Sequence, residues 1–222
     1  NSLYAVGGHG TVLRWNGLAW SESDSGVTVD LRGVWGSGQN DVWVVGKQGT
    51  ILHGDGATWT AVPSGVKEDL RSVWGSDNSD MWAVGDAGTV LANAGTSWRV
   101  VTDSLFPTKT LTSVASLSGA AFIGAQQGEV FRQGSPWSRV CCVNLPDIRG
   151  MISSSFGLIA VGSTVGGAIL QSSDGTSWTT PIDGAQTLFY GVGATTGEAW
   201  VVGDSGAMYR YTGGAWSPQT IG

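Results

Sequence analysis

The chain has 222 residues, a net charge of −6 and a pI near 4.7, an acidic balance that argues against nucleic-acid or anionic-membrane partners. Only 13% of residues are charged, while Gly (36) and Trp (12) are abundant, which suits a turn-rich β protein and not a disordered one. No apolar run reaches the roughly 18 residues of a spanning helix, so membrane insertion is not expected.

The first residues carry three short apolar runs, SLYAVGG, GTVLRW and AWSES. From Leu31 to Asp69 comes the unit that the rest of the chain repeats. Its runs Leu31–Trp35, Asp41–Val45, Thr50–His53 and Thr58–Val62 are β-branched and aromatic and too short for helices, so they predict strands. Gly46-Lys47-Gln48-Gly49 and Gly54-Asp55-Gly56 supply the positive-φ positions of tight turns. The copy from Leu70 is the best match. The copy from Leu111 has lost the Trp of its first run, reads as carrying an extra residue at Ala125-Gln126-Gln127, and holds the only cysteines. The copy from Ile148 is diverged in its first run, and the copy from Leu188 closes the sequence.

Two residue classes mark the period. Trp20, Trp59, Trp98, Trp137, Trp178 and Trp216 are spaced by 39, 39, 39, 41 and 38 residues. Tyr4, Trp43, Trp82, Phe122, Ile159 and Trp200 form the second class. Four antiparallel strands in a unit of roughly forty residues are a propeller blade. The sequence therefore predicts an all-β, six-bladed β-propeller in one domain, with blades near 1–30, 31–69, 70–110, 111–147, 148–187 and 188–222. The first copy has three strands, so its blade lacks the innermost one. The repeat Trp class is expected to be buried between blades.

The turns SSDGTSW (Ser172–Trp178) and GDGATW (Gly54–Trp59) resemble the Asp-box or BNR turn, Ser-x-Asp-x-Gly-x-Thr-Trp, one residue short. The frame VWGS-x-x-x-DVW-x-VG is similar to bacterial secreted repeat propellers and to Ycf48-type photosystem II assembly-factor propellers. The resemblance covers nearly all of the chain and implies the propeller fold. Propellers of this kind host hydrolases, lectins and assembly factors alike, so function has to come from particular residues.

In a propeller the second-to-third and fourth-to-first strand connections share one face, here called the top. Asp30-Leu31-Arg32, Asp69-Leu70-Arg71 and Asp147-Ile148-Arg149 fall at its channel mouth. They read as Asp–Arg pairs holding neighbouring blades, or as an anion-binding cluster of Arg32, Arg71 and Arg149, since a guanidinium fork suits carboxylates and phosphates. One rim position varies through the copies as His9, Lys47, Asp86, Gln126, Thr164 and Asp204, which suits one composite surface better than a repeated sugar site. Sialidases share Asp-boxes and bind a carboxylate with three arginines. That resemblance would also require a Tyr nucleophile with a Glu partner, and Tyr4, Tyr190, Tyr209 and Tyr211 show no recognisable pairing with Glu22, Glu68, Glu129 or Glu198.

No catalytic residue, metal site or cofactor is expected. His9, His53 and the two cysteines do not match zinc spacing, and Asp77-Asn78-Ser79-Asp80 and Gln39-Asn40-Asp41 read as turn formers. Cys141 and Cys142, assigned to a top-face connection, are two thiols or a disulfide between adjacent residues, the latter a rigid platform for a ligand. Trp15 and Tyr211 read either as paired aromatics on the bottom edge that stack on sugars or anchor proteins, or as isolated surface rings.

The expected function is a non-catalytic, extracytoplasmic binding or assembly module. Its protein partner would use the top face, the channel mouth or the open edge of the first blade. A carbohydrate-binding, lectin-like propeller is the alternative, and a sialidase-like glycoside hydrolase a remote one. The strand missing from the first blade is expected from outside these residues, either from upstream of Asn1 in a processed chain or from another chain, paired with Leu3 to Gly7.

Overall fold

The computed structural model describes residues 3–77, 79–93, 95, 97–106, 108–141, 147–163 and 166–220. Two compact units divide the chain at Leu111 and Thr112. In the first, β1 (Leu3–Val6), β2 (Val12–Trp15) and β3 (Trp20–Ser23) precede β4 (Leu31–Gly38), β5 (Asp41–Gly46), β6 (Ile51–Gly54) and β7 (Trp59–Ala61). Then come β8 (Leu70–Asp77), β9 (Asp80–Gly85), β10 (Val90–Asn93) and β11 (Trp98–Val100). The second unit holds β12 (Leu111–Leu117), β13 (Ala120–Ala125), β14 (Val130–Arg132), β15 (Ser138–Cys141), β16 (Asp147–Ser154), β17 (Gly157–Ser163), β18 (Gly167–Ser172) and β19 (Thr179–Ala185). It ends with β20 (Phe189–Ala194), β21 (Ala199–Gly203), β22 (Met208–Thr212) and β23 (Ala215–Gln219).

These strands form six antiparallel meanders in chain order, the first of three strands and the others of four, and the fold is a six-bladed β-propeller. Each core draws on two successive sheets. Val45, Ile51, Leu70, Val73, Met81, Ala83, Leu91 and Trp98 pack together in the first unit. In the second, Ile159, Val161 and Ile169 pack with Phe189, Ala199 and Val201. The alternation within a strand therefore serves two interfaces, one on each face of the sheet.

The second-to-third strand turn differs in detail from the expectation. Gly46 is extended (φ −163°), and the left-handed pair is Gln48 (57°) with Gly49 (67°). His9–Gly10, Ala87–Gly88, Gln127–Gly128 and Ser205–Gly206 repeat that pair. The glycine is obligatory for a second reason, since a Cβ at Gly49 would lie 2.2 Å from the Val66 carbonyl oxygen crossing over it. The copy from Leu111 uses the same turn, so no extra residue sits at Ala125-Gln126-Gln127. Its difference is a first strand of seven residues against eight in β4 and β8.

Repeat tryptophans pack on the preceding copy where their unit contains one. Trp59 meets Tyr4 edge-on at 6.0 Å and donates its indole N–H to Ser23 Oγ at 3.0 Å. Trp98, 8% exposed, meets Trp43 edge-on at 5.8 Å. Trp20 contradicts the expected burial, being 49% exposed. Its ring rests on Trp15 at 5.7 Å.

Candidate functional site

The first strand of each complete sheet follows one plan. In the second sheet Leu31 pairs with Gly46, a bulge follows, and Gly33, Val34, Trp35 and Gly36 pair with Val45, Val44, Trp43 and Val42. The third, fifth and sixth sheets carry the same bulge, after Leu70, Ile148 and Phe189. In the first sheet, β1 occupies the place of β5. It is bonded to β2 along one edge, and among the described residues no strand lies along the other.

That edge is open to a groove of about 620 Å³ lined by Leu3, Tyr4, Val34, Trp35, the Gly36–Gln39 segment and Val42. Leu3 is 57% exposed, whereas Val42 and Met81, at the same register position in complete sheets, are 2% and 1% exposed. The Tyr4 hydroxyl donates to the Gln39 carbonyl at 3.2 Å, and the Arg14 guanidinium lies 5.8 Å from the Tyr4 ring centre. These contacts hold the ring at the groove wall.

The top-face acids are structural staples. Asp30, Asp69 and Asp147 accept backbone N–H bonds from His9, Gln48 and Gln127 at 3.1, 3.0 and 2.8 Å. Arg32 then bonds Asp69 across to the next copy at 3.0 Å, and Lys47 pairs with Asp30. Arg71 departs from that scheme and forks onto Asp86 of its own copy. Two of the three candidate arginines are thus neutralised in place, as are Lys47 and Asp86. Arg149 is exposed and stands over the Tyr190 ring at 4.8 Å. A hydrogen bond to Asp204, with burial, raises the Tyr190 hydroxyl above the usual tyrosine range.

Cys141 is the buried last residue of β15, not part of an exposed connection, and it is disulfide-bonded. Cys142 and Thr164 lie outside the described residues. Trp15 is half-buried on Trp20, and Tyr211 is half-buried between Phe156 (4.8 Å) and Trp216 (5.2 Å), so neither ring stands alone at the surface. Among the described residues no group of three His, Cys, Asp or Glu side chains is arranged to hold a metal.

Sequence reading missed a polar cluster on the second sheet. Asp41 accepts from Ser37, from the Trp43 indole at 3.1 Å and from His53 Nε2 at 2.8 Å, while His53 stacks on Trp43. Burial works against the charge, but these donors outweigh it and hold the Asp41 carboxyl below the usual range. The acid stands between Ser and His, so His53 has no serine proton to take. Asp80 repeats the arrangement with Ser76 and Trp82, with Ala92 in the histidine's place. The spacing Ser-x-x-x-Asp-x-Trp was the available signal.

The Asp-bearing turns are local caps. Asp174 accepts from the Thr176 and Ser177 amides at 2.7 Å each, which keeps its carboxyl far below the usual range. Asp55 does the same with Ala57 and Thr58, and Asn16 with Leu18 and Ala19.

No family model and no curated protein matches the sequence. Solved structures do. A structure of YCF48 bound to D1 peptide is similar at TM-score 0.71 and 18% identity, over 97% of this chain and 76% of that one. YCF48 from Cyanidioschyzon merolae gives 0.69 and 17%, over 97% and 80%. A streptogramin B lyase structure gives 0.74 and 15%, over 86% and 68%. At these identities the likeness shows the propeller fold alone.

Proposed function

We propose that the protein is a non-catalytic binding module that takes an extended segment of a protein partner along the open edge of β1. The observation that carries this reading is Leu3, exposed beside the groove where five other sheets each have a strand. An unpaired strand edge presents backbone donors and acceptors in a row, and a partner strand satisfies them while its side chains fill the groove. Covering Leu3 would add roughly 1–2 kcal/mol of apolar burial. The similar structure of YCF48 bound to D1 peptide is a precedent for peptide binding on this fold.

The reading as a binder also rests on how the ionisable groups are engaged. The top-face carboxylates Asp30 and Asp69 cap turns and pair with cations. An enzyme shares the fold among the similar structures, so the fold does not decide this point. The disulfide at Cys141 supports an oxidising, extracytoplasmic setting. Carbohydrate binding is a second reading, favoured by the exposed Trp20 on Trp15. Loss of glycan binding in Trp20→Ala would support it.

Amide hydrogen exchange tests the main reading. In the protein alone, Tyr4 to Val6 should exchange much faster than Trp43 to Val45, and extended peptides should slow them. Equal, strong protection of both segments without peptide, or no slowing by any peptide, would overturn it.

A further inference from the structure

We propose that Asn16 is a site of spontaneous deamidation, converted in the folded protein to aspartate and isoaspartate while the other described asparagines are spared. Asn16 and Gly17 open the turn between β2 and β3, and every residue from Asn16 to Trp20 is exposed. An asparagine followed by glycine meets the least steric resistance to this reaction. The attacking nitrogen belongs to the following residue, and glycine puts no side chain beside it.

The only co-reactant is water. The Gly17 backbone nitrogen attacks Asn16 Cγ and an N–Cγ bond forms. The side-chain nitrogen leaves as ammonia, taking the proton given up by the Gly17 amide, and a five-membered imide joins the two residues. Water then opens the imide at one of its two carbonyl carbons. Cleavage of the new N–Cγ bond gives aspartate. Cleavage of the original peptide C–N bond gives isoaspartate, with the chain running on through Cγ.

Three features of the turn favour the first step. Among the described residues the Gly17 N–H has no hydrogen-bond acceptor, so no bond has to break before its nitrogen reacts. The Asn16 amide oxygen accepts the N–H groups of Leu18 and Ala19 at 2.9 and 3.0 Å. Those donors draw electron density from Cγ and stabilise the charge that develops on the oxygen as it is attacked. A Cβ built on Gly17 would meet no atom within 4 Å, so that side of the backbone is open.

Two other copies show the same turn closed in. Asp55-Gly56 and Asp174-Gly175 precede Trp59 and Trp178 as Asn16-Gly17 precedes Trp20, and their carboxylates cap the following amides in the same way. Asn40 Oδ1 would lie 2.4 Å from a Cβ on Gly56, and the Phe122 ring 2.3 Å from one on Gly175. The other described asparagines lack the glycine: Asn40 is followed by Asp41, and Asn93, 4% exposed, by Ala94.

The two products differ in their effect on the turn. Aspartate keeps the backbone, and a carboxylate in this place accepts the same pair of amides at Asp55 and Asp174, with charge strengthening the bonds. Isoaspartate adds a carbon to the backbone between Trp15 and Trp20, whose pairing closes the turn and whose rings lie 5.7 Å apart. Conversion thus adds negative charge beside the exposed Trp20, and the isoaspartate fraction loosens its hairpin.

The test holds the folded protein in mildly alkaline buffer. Ammonia release gives the rate, and peptide mapping by mass spectrometry with isoaspartyl methyltransferase labelling gives the position. Asn16 should convert first, at a rate of the same order as in the urea-unfolded chain, with Asn40 and Asn93 intact. Asn16→Asp should abolish the early ammonia release and keep the parent's melting temperature or exceed it. Asp174→Asn places the same dipeptide against Phe122 and should convert several-fold more slowly than Asn16. An Asn16 that stays intact in the folded protein while converting in urea would overturn the proposal. Conversion at residue 174 of that variant as fast as at Asn16 would overturn the attribution of selectivity to the open turn. A lowered melting temperature in Asn16→Asp would overturn the account of aspartate as a fitting product.

Discussion

Trp98 offers the most direct check of the packing. It lies in the apolar cluster with Met81 and Leu91, edge-on to Trp43, and its indole N–H is buried without an acceptor among the described residues. Trp98→Ala removes the ring and leaves a cavity walled by two successive sheets, at an expected cost of about 3–5 kcal/mol. Trp98→Phe keeps most of the apolar contact and removes a donor whose burial costs roughly 1–3 kcal/mol. The two effects oppose, so the Phe variant should lose about 1 kcal/mol or less. Trp59 is the control, because its indole is bonded to Ser23. Trp59→Phe therefore loses a made hydrogen bond, and should cost about 1 kcal/mol more than Trp98→Phe. Urea unfolding followed by far-UV circular dichroism measures all three. A loss below about 1 kcal/mol for Trp98→Ala, or equal losses for its Ala and Phe variants, would refute the packing and the unpaired donor respectively.

Gly175 has φ +75°, and a Cβ there would lie 2.3 Å from Cζ of the buried Phe122 ring, so Gly175→Ala should cost about 2–4 kcal/mol. A thermal melt within a degree or two of the parent would contradict this. The Asp41 carboxyl is held below its unfolded value, so its contribution to stability is present above about pH 4 and is lost as pH falls through the folded value. Asp41→Asn should thus be destabilised at pH 7, and its deficit in urea midpoint should narrow at pH 3; an undiminished deficit would refute the charge-based account. Alkylation of the native, unreduced protein should label no thiol, because Cys141 is disulfide-bonded, and two labelled thiols would overturn that.

The repeat made most of the fold legible. The runs at Leu31–Trp35, Asp41–Val45, Thr50–His53 and Thr58–Val62 match β4 to β7 within a few residues, since each combines strand formers with Gly-rich punctuation. Counting runs in the first copy likewise gave its three-stranded sheet. Properties that depend on a neighbouring sheet were not legible. Trp20 carries the same local signal as Trp98, yet it is 49% exposed where Trp98 is 8% exposed. Arg71 reads like Arg32, yet Asp86, which replaces Lys47 in the turn, captures it. The Ser37–Asp41–His53 cluster joins three strands by side chains, which strand patterning does not register.

The composition of β1 bears on whether its edge is meant to stay bare. Natural sheets blunt exposed edges with charge, proline, bulges or very short strands. The fourth strands here do so. β3 carries Glu22, β11 Arg99 and β15 Arg139, β19 has Pro181 with bulged pairing, β23 has Pro218, and β7 is three residues long. The first strands β4, β8, β16 and β20 are bulged. Of these devices β1 has only its shortness, at four residues. Its sequence is Leu-Tyr-Ala-Val, uncharged and without proline, and it pairs with β2 in unbroken register. Such an edge left in water would template association with any similar strand. Under the proposed binding reading, this uncharged edge is the one that a partner strand would cover.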